Sequence, residues 1–428
     1  MVSSSPTETV RSSALVDGSG HALQLVRNGE ASTISEIAAG MGVSRSTVIQ
    51  RLEFLIDHGL IESRVSADGS RGRPAASIRF SANSAIVLAA QIGVTGCRLA
   101  TTDLAGEILS DRFVTVDLVA GPERLLTGLQ TSFDDMITEL GRDVDDVAGV
   151  GVGIPSAVEL QNYSRGLGLN GADWDRDYFK RHLWDHYDAP VFFDLDVNLL
   201  ALAEWRKSWP DVEVFVCVKL GTVIDAAIVV NGSPIRGVSG LAGELGHMKV
   251  SGSTTPCSCG SVGCLDAVAS GGALVNQLAA AGFDVHHVSD VLQLAHQGHP
   301  EAVLALRDAG RRIGEAISSV VNVLNPAVVA TWGYLTEAES PLFAGMREAV
   351  YQMALPSSSE HLQLVRAALG ELAGVRGAAM RVIDEVLAPA AVDRMIMAQS
   401  WSGAWPGPPA VRVAAQPAAG VQAAPASR

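Results

Sequence analysis

The sequence predicts an α/β protein in which a small helix-turn-helix head precedes a large duplicated core. Three observations lead there. A strand, turn, strand and hairpin follow one another from Ala85, and the same order returns from Val214. Ahead of both, residues 21–62 hold three short helical patterns leading into a hairpin. The 428 residues are 48% hydrophobic and contain 43 glycines, which suits a large α/β core spread over two or three domains.

Residues 1–20 are rich in Ser and Thr and read as a disordered N-terminus. They lack the apolar stretch of a signal peptide, and no apolar run has transmembrane length, so no membrane association is expected. Five cysteines, mostly clustered, suit a reducing cytoplasm.

Residues 21–80 read as a winged helix-turn-helix. Leu23, Leu25 and Val26 mark a first helix, and Thr33–Met41 a second, with Ser35 as its expected N-cap. The third runs from Ser44, its cap, to Leu55. Val48, Leu52 and Leu55 recur at core spacing, leaving Arg45, Ser46, Thr47 and Gln50 towards the outside. A second helix of this kind lies in a DNA major groove. The hairpin tip, Asp68–Pro74, carries Arg71 and Arg73, and residues 63–80 hold four Arg against one Asp. Such a tip suits phosphates or a minor groove; the alternative is a winged helix used for protein contacts. Net charge is −15, but residues 1–80 carry eight basic and eight acidic side chains. The acidity therefore lies in the core, which cannot attract nucleic acid, and the head is left free to do so.

Ser81–Ser84 reads as a linker to a core spanning 85–391. Its first unit comprises strands Ala85–Ala90, Cys97–Thr102 and Gly106–Leu118, helix Gly121–Leu140 and strand Val147–Gly153. The second comprises Val214–Lys219, Asp225–Val230 and the hairpin tip Asn231-Gly232. Between them Phe193–Asn198 ends a strand and opens a helix. Asp196 is well placed there for a ligand, or serves as an N-cap. A long helix, Leu304–Leu324, precedes strand Ala327–Thr331. A closing helix, Gly370–Leu387, has a small face of Ala373, Gly374, Gly377 and Ala378. Residues 402–428, rich in Pro, Ala and Gly, read as a disordered tail.

The densest chemistry is in Gly237–Gly271. His247, Cys257, Cys259 and Cys264 supply the imidazole and thiolates that a tetrahedral Zn²⁺ prefers, and Gly260 and Gly263 allow the loop to turn between them. Four protein ligands close the site, so this zinc is structural. The alternative, a disulfide within Cys-x-Cys, is strained. A pinned loop would also bring Glu244 and Asp266 together, and paired carboxylates suit the hydroxyls of a sugar.

Glu244–His247 together with Cys257–Asp266 resembles the zinc signature of the ROK family (repressors, open reading frames and kinases): Glu-x-Gly-His, then Cys-x-Cys-Gly-x-x-Gly-Cys-x-Glu, with Asp266 in place of the final Glu. Gly72-Arg73-Pro74 is similar to the wing of ROK repressors. The resemblance covers roughly Ala22 to Ala391 and implies a duplicated actin-like (ribonuclease H-like) sugar kinase fold, in which two turns hold ATP phosphates. The family's kinases have Asp-x-Gly-Gly-Thr in the first turn, where this chain has Gln91-Ile92-Gly93-Val94-Thr95. In the second they have Gly-Thr-Gly-x-Gly-Gly-Gly, where Gly221–Ala227 replaces four glycines. Val223 is expected to block phosphate and Asp225 to repel it. On the sugar side, Asp196 matches the family's catalytic base, Glu244 and His247 match sugar contacts, and Asn170 matches a sugar-binding loop. Leu195, Ser156 and Asp266 depart from the pattern.

The resemblance thus implies a sugar-responsive regulator that does not phosphorylate, with repression as its expected output. Its expected partners are a double-stranded DNA operator, a sugar or sugar derivative at Asn170, Asp196, Glu244, His247 and Asp266, and its own copies in a homodimer or dimer of dimers. Arg45, Thr47 and Gln50, beside Ser44 and Ser46, would face the DNA, and Arg71 and Arg73 its flank. Two alternatives stand beside it: a ROK sugar kinase with an appended head, and a regulator that has lost its effector.

Overall fold

The architecture is that of a computed structural model, which describes residues 16–65, 76–93, 96–115, 121–155 and 176–402. Arg71, Arg73, Val94, Thr95, Ser156 and Asn170 lie outside the described residues. So do residues 1–15 and 403–428.

The head has three helices, α1 (Ser19–Arg27), α2 (Ile34–Met41) and α3 (Arg45–Asp57), followed by an antiparallel hairpin of β1 (Ile61–Val65) and β2 (Ala76–Phe80). The cap of α2 is Thr33, not the expected Ser35. Thr33 has extended backbone and sits three residues before Glu36, so hydroxyl and carboxylate can each accept the other residue's backbone N–H. Ser35 is one residue inside the helix. Ser44 caps α3 as expected, its Oγ accepting the Thr47 N–H at 3.2 Å.

The core begins with β3 (Ile86–Ile92), β4 (Cys97–Asp103) and β5 (Ile108–Val114), then α4 (Pro122–Glu139), β6 (Val147–Ile154), α5 (Arg176–Tyr187) and β7 (Val191–Leu195). Helix α6 (Asp196–Ser208) crosses to a second lobe of β8 (Val214–Leu220), β9 (Ile224–Val230) and β10 (Ser233–Pro234). There follow α7 (Asp266–Ala269), α8 (Gly271–Ala280), α9 (Val288–His296), α10 (Pro300–Leu324), β11 (Val328–Trp332), α11 (Glu339–Met353), α12 (Pro356–Ser359) and β12 (Gln363–Arg366). The chain then returns to the first lobe through α13 (Ala373–Val386) and α14 (Pro389–Ala398).

The duplication is exact in topology: one sheet has the order β5-β4-β3-β6-β7 and the other β10-β9-β8-β11-β12. In both, the first three strands are antiparallel and the last two add in parallel. Asn231 and Gly232 both have positive φ, as a two-residue hairpin tip requires.

Each sheet is covered on both faces. In the first lobe α4 and α5 bury Phe133, Leu183 and Tyr187 on one side, and α13 brings Ala378, Val382 and Ile383 to the other. The small face of α13 meets α6: a methyl on Gly377 would lie 1.8 Å from the Leu199 carbonyl oxygen, so only glycine permits the approach.

One expected boundary does not hold. The sequence places Val16–Gly20 outside the domains and α14 at their margin. They instead complete an apolar core that joins Leu23, Ile37, Val48 and Leu55 of the head to Val392, Met395 and Ile396 of α14, and to Val87 and Ala148 of the first sheet. Ser81–Ser84 is likewise stitched in, with the Ser81 N–H bonded to Leu60 O and the Leu104 N–H to Ala82 O.

Candidate functional site

The Cys/His loop leaves β10, turns past Glu244 and closes on Cys264. Donor atoms of His247, Cys257, Cys259 and Cys264 lie within 4.8 Å of one another. Cys259 Sγ is 3.8 Å from Cys264 Sγ, and Cys257 Sγ is 3.8 Å from His247 Nδ1. Ligands about 2.3 Å from a tetrahedral zinc are themselves roughly 3.8 Å apart, so the donor set fits that ion in both chemistry and spacing. Gly260 and Gly263 take the positive φ expected of them. Burial, then Lys249, lowers the pKa of His247, which favours the neutral, ligating imidazole. Its Nε2 faces Glu244 Oε2 at 3.6 Å, as the outer partner of a ligating histidine commonly does.

The Cys/His loop packs against the second lobe's sheet. Gly243 lies against β9, with the Ala226 N–H bonded to Gly243 O at 3.0 Å, and this sets Glu244 at the strand's edge. Asp266 spends Oδ1 on the Ile224 N–H at 2.7 Å, holding the turn between β8 and β9.

Asp196 enters from the first lobe. It is the first residue of α6; Leu195 is the cap position, and Asp196 makes no capping bond. Its carboxylate is 1% exposed. Oδ2 accepts from Lys219 Nζ, and Oδ1 has no hydrogen-bond partner among the described residues. Lys219 lies opposite Asp225 in the β8–β9 ladder. Burial pulls the Lys219 ammonium down, but the charge and hydrogen bond of Asp196, with Asp225, outweigh it and hold the pKa above the ordinary lysine value. Burial pushes the Asp225 carboxyl well above the usual range; Glu244 and Asp196 add to this, against Lys219 and the Ala226 N–H.

Sequence reasoning missed Lys219. The available signal was a lone cation in the apolar run VFVCVKL, facing an aspartate across a tight turn. A second pair near it, Arg236 with Asp194, also joins the two lobes, with Arg236 Nε 2.9 Å from Asp194 Oδ2.

The strand ends of both sheets enclose a cavity of about 370 Å³. Gln91, Gly93, Thr222, Val223, Trp332 and Tyr334 line it, and it reaches Asp196 and Lys219. This corrects one expectation, the placement of Asp225. Val223, on the turn between β8 and β9, is among the residues that line the space. Asp225, expected to repel a phosphate there, is not among the lining residues; it is buried, and that burial raises its carboxyl pKa.

In the head, Ser44, Arg45, Ser46 and Gln50 are exposed and Thr47 is half-buried. The Ser44 hydroxyl lies 2.8 Å from those of Ser46 and Thr47, so the three form one cluster at the start of α3. Ile49, which sequence reasoning passed over, is 43% exposed on the same helix. No helix among the described residues is long and apolar enough to cross a membrane.

Comparison with known proteins accords with this geometry. The model of the ROK family matches residues 87–385, and that of the bacterial regulatory protein arsR family matches residues 22–63. The xylose repressor of Caldicellulosiruptor bescii is 22% identical over 367 residues, spanning 82% of this chain and 92% of its own. The glucokinase of Halalkalibacterium halodurans is 29% identical over 304 residues, spanning 67% of this chain and 91% of its own. The crystal structure of a ROK family transcriptional regulator, a homolog of the E. coli MLC protein, superposes with a TM-score of 0.71 at 24% identity. It covers 90% of this chain and 99% of that one, a likeness of fold.

Proposed function

The chain belongs to the ROK family, and from that premise we propose that it is a DNA-binding transcriptional regulator whose affinity for its operator answers to a sugar held between the lobes, with repression as the output. The observation that carries this reading is the head: a capped helix presenting Arg45, Ser46, Thr47 and Gln50, built into one core with a ROK lobe. Arg45 and the hydroxyls suit phosphates and Gln50 suits a base edge, while exposed Ile49 suits a thymine methyl. The wing arginines, Arg71 and Arg73, would add phosphate contacts. A second copy of the chain would present a second head to a second half-site.

The sugar would lie against Asp196, Glu244 and His247, with Asp266 behind and Asn170, outside the described residues, as a further contact. Asp196 Oδ1 and Lys219 Nζ sit side by side as acceptor and donor, so one hydroxyl can donate to the first and accept from the second. The same pair argues against catalysis. A carboxylate bound to an ammonium is a poor general base, so Asp196 would hold a hydroxyl without activating it. His247, Cys257, Cys259 and Cys264 would hold zinc, which when bound supplies a structural cross-link with no open coordination position. Coupling of roughly 1–3 kcal/mol between sugar and DNA would be ordinary.

The test is selection from a random duplex pool, followed by titration of the selected DNA with a monosaccharide panel. Enrichment of a two-half-site sequence, released or tightened by one sugar, supports the reading; no enrichment over a headless chain removes it. The kinase reading draws on one observation, the open cavity at the strand ends. An ATP-coupled assay over the same panel decides it, because clear turnover would overturn the argument from Lys219.

A further inference from the structure

Helix α1 lacks a cap of its own. Its N-cap position is Gly18, in the left-handed region, with no side chain to accept the free backbone donors of the first turn. The carboxylate that does so comes from the other end of the chain. Asp393 of α14 accepts the Gly18 N–H on Oδ2 at 2.9 Å and the Gly20 N–H on Oδ1 at 2.7 Å. Both oxygens are used, and the negative charge sits at the positive end of the helix. The approach is close throughout: a methyl on Gly20 would lie 2.1 Å from the Pro389 carbonyl oxygen. The guanidinium of Arg51, on the DNA-facing helix α3, lies over Gly18 from the other side.

The far end of this contact leads to the pocket. Helix α14 follows α13 after only Leu387 and Ala388. Helix α13 backs onto Leu199, three residues along α6 from Asp196, at the contact where Gly377 admits no methyl. Contacts of backbone on backbone have no side chain to rearrange, so they pass on a displacement that softer packing would absorb.

We propose that Asp393 is a positioning residue for DNA recognition: it clamps α1, and with it the DNA-facing helix, to the segment that backs onto the ligand carboxylate's helix. The head then takes its orientation from α14 as well as from the short segment joining it to the first strand of the core. This rests on the regulator reading for its effect on DNA, while the clamp itself is testable without DNA.

The experiment uses full-length wild type, Asp393→Ala and the isosteric Asp393→Asn, with hydrogen exchange followed in peptides covering residues 16–27 and 214–230. Asp393→Ala is expected to speed exchange in 16–27 by tenfold or more and leave 214–230 unchanged, with Asp393→Asn between the two. Unchanged exchange in 16–27 overturns the proposal, as does equal acceleration in both peptides, which would signal general loosening. A second arm selects duplexes with two half-sites at random spacing. The wild type is expected to enrich one spacing, and Asp393→Ala to keep half-site binding while accepting several. Retained spacing selectivity in Asp393→Ala overturns the positioning role. If the wild type selects no DNA, the regulator reading falls and the exchange arm alone decides the clamp.

Discussion

Replacing Lys219 with Met removes the one cation bonded to Asp196 among the described residues while keeping a side chain of similar length. The carboxylate it leaves is 1% exposed, so only water held in the pocket is at hand to take over part of the ammonium's role. Breaking a buried pair from one side costs about 3–5 kcal/mol. An upper limit comes from proton uptake, since a carboxyl with an ordinary value near 3.9 can be protonated at pH 7 for about 4 kcal/mol. A loss of about 3–4 kcal/mol follows, on the order of 5–10 °C in melting temperature. It should shrink by about 1.4 kcal/mol per pH unit on acidification, as the proton becomes easier to supply. Calorimetry of Lys219→Met across pH 5–8 tests this, alongside the double variant with Asp196→Asn. The double variant has no charge to strand and should recover most of the loss, giving a large coupling energy in a mutant cycle. A Lys219→Met protein as stable as wild type, with no pH trend and no rescue by Asp196→Asn, would refute the reasoning.

Three further outcomes are expected. The folded state raises the Asp225 carboxyl above its unfolded value, so above the unfolded value near 3.8 it costs stability as pH rises. Asp225→Asn should therefore raise the melting temperature at neutral pH, with the gain disappearing at about pH 4 and below; thermal denaturation across that range measures it. Burial pushes the Cys257 thiol up to about 12, so zinc must displace protons. Chelator competition should show apparent affinity falling by up to about tenfold per unit drop in pH for each proton released, and Cys264→Ser should lose stoichiometric zinc by elemental analysis. Gln50→Ala should weaken binding to a selected duplex by about 1–3 kcal/mol and relax selectivity at one base position, read by repeating the selection with the variant.

What could be read in the sequence was local. The Cys/His cluster, the turn glycines within it, the Ser44 cap and the Asn231-Gly232 tip each depend on residues within a few positions of one another. The duplicated strand order was legible because the same turn signals recur in the same order. The small face of α13 was visible, but not its partner, because Leu199 lies far away in the chain. Distance also hid the Asp393 clamp, whose ends are 373 and 375 residues apart. Thr33 lost to Ser35 in the reading because either residue type caps a helix; the reciprocal bond with Glu36 decides between them. Asp225 was read as facing a phosphate because a turn sequence gives spacing without the side of the sheet, and the ladder register turns it to Lys219.

Under the proposed regulator reading, the facing pair Lys219 and Asp225 also restricts the order in which mutations could carry this chain towards phosphoryl transfer. Freeing Asp196 to act as a base requires Lys219 to go, yet losing it first leaves two buried acids, Asp196 and Asp225, without the cation that faces both. Losing Asp225 first is tolerated and makes the later step cheaper. Of the two routes between a sensor and a catalyst, only the one that begins at the second strand of the turn avoids an unstable intermediate.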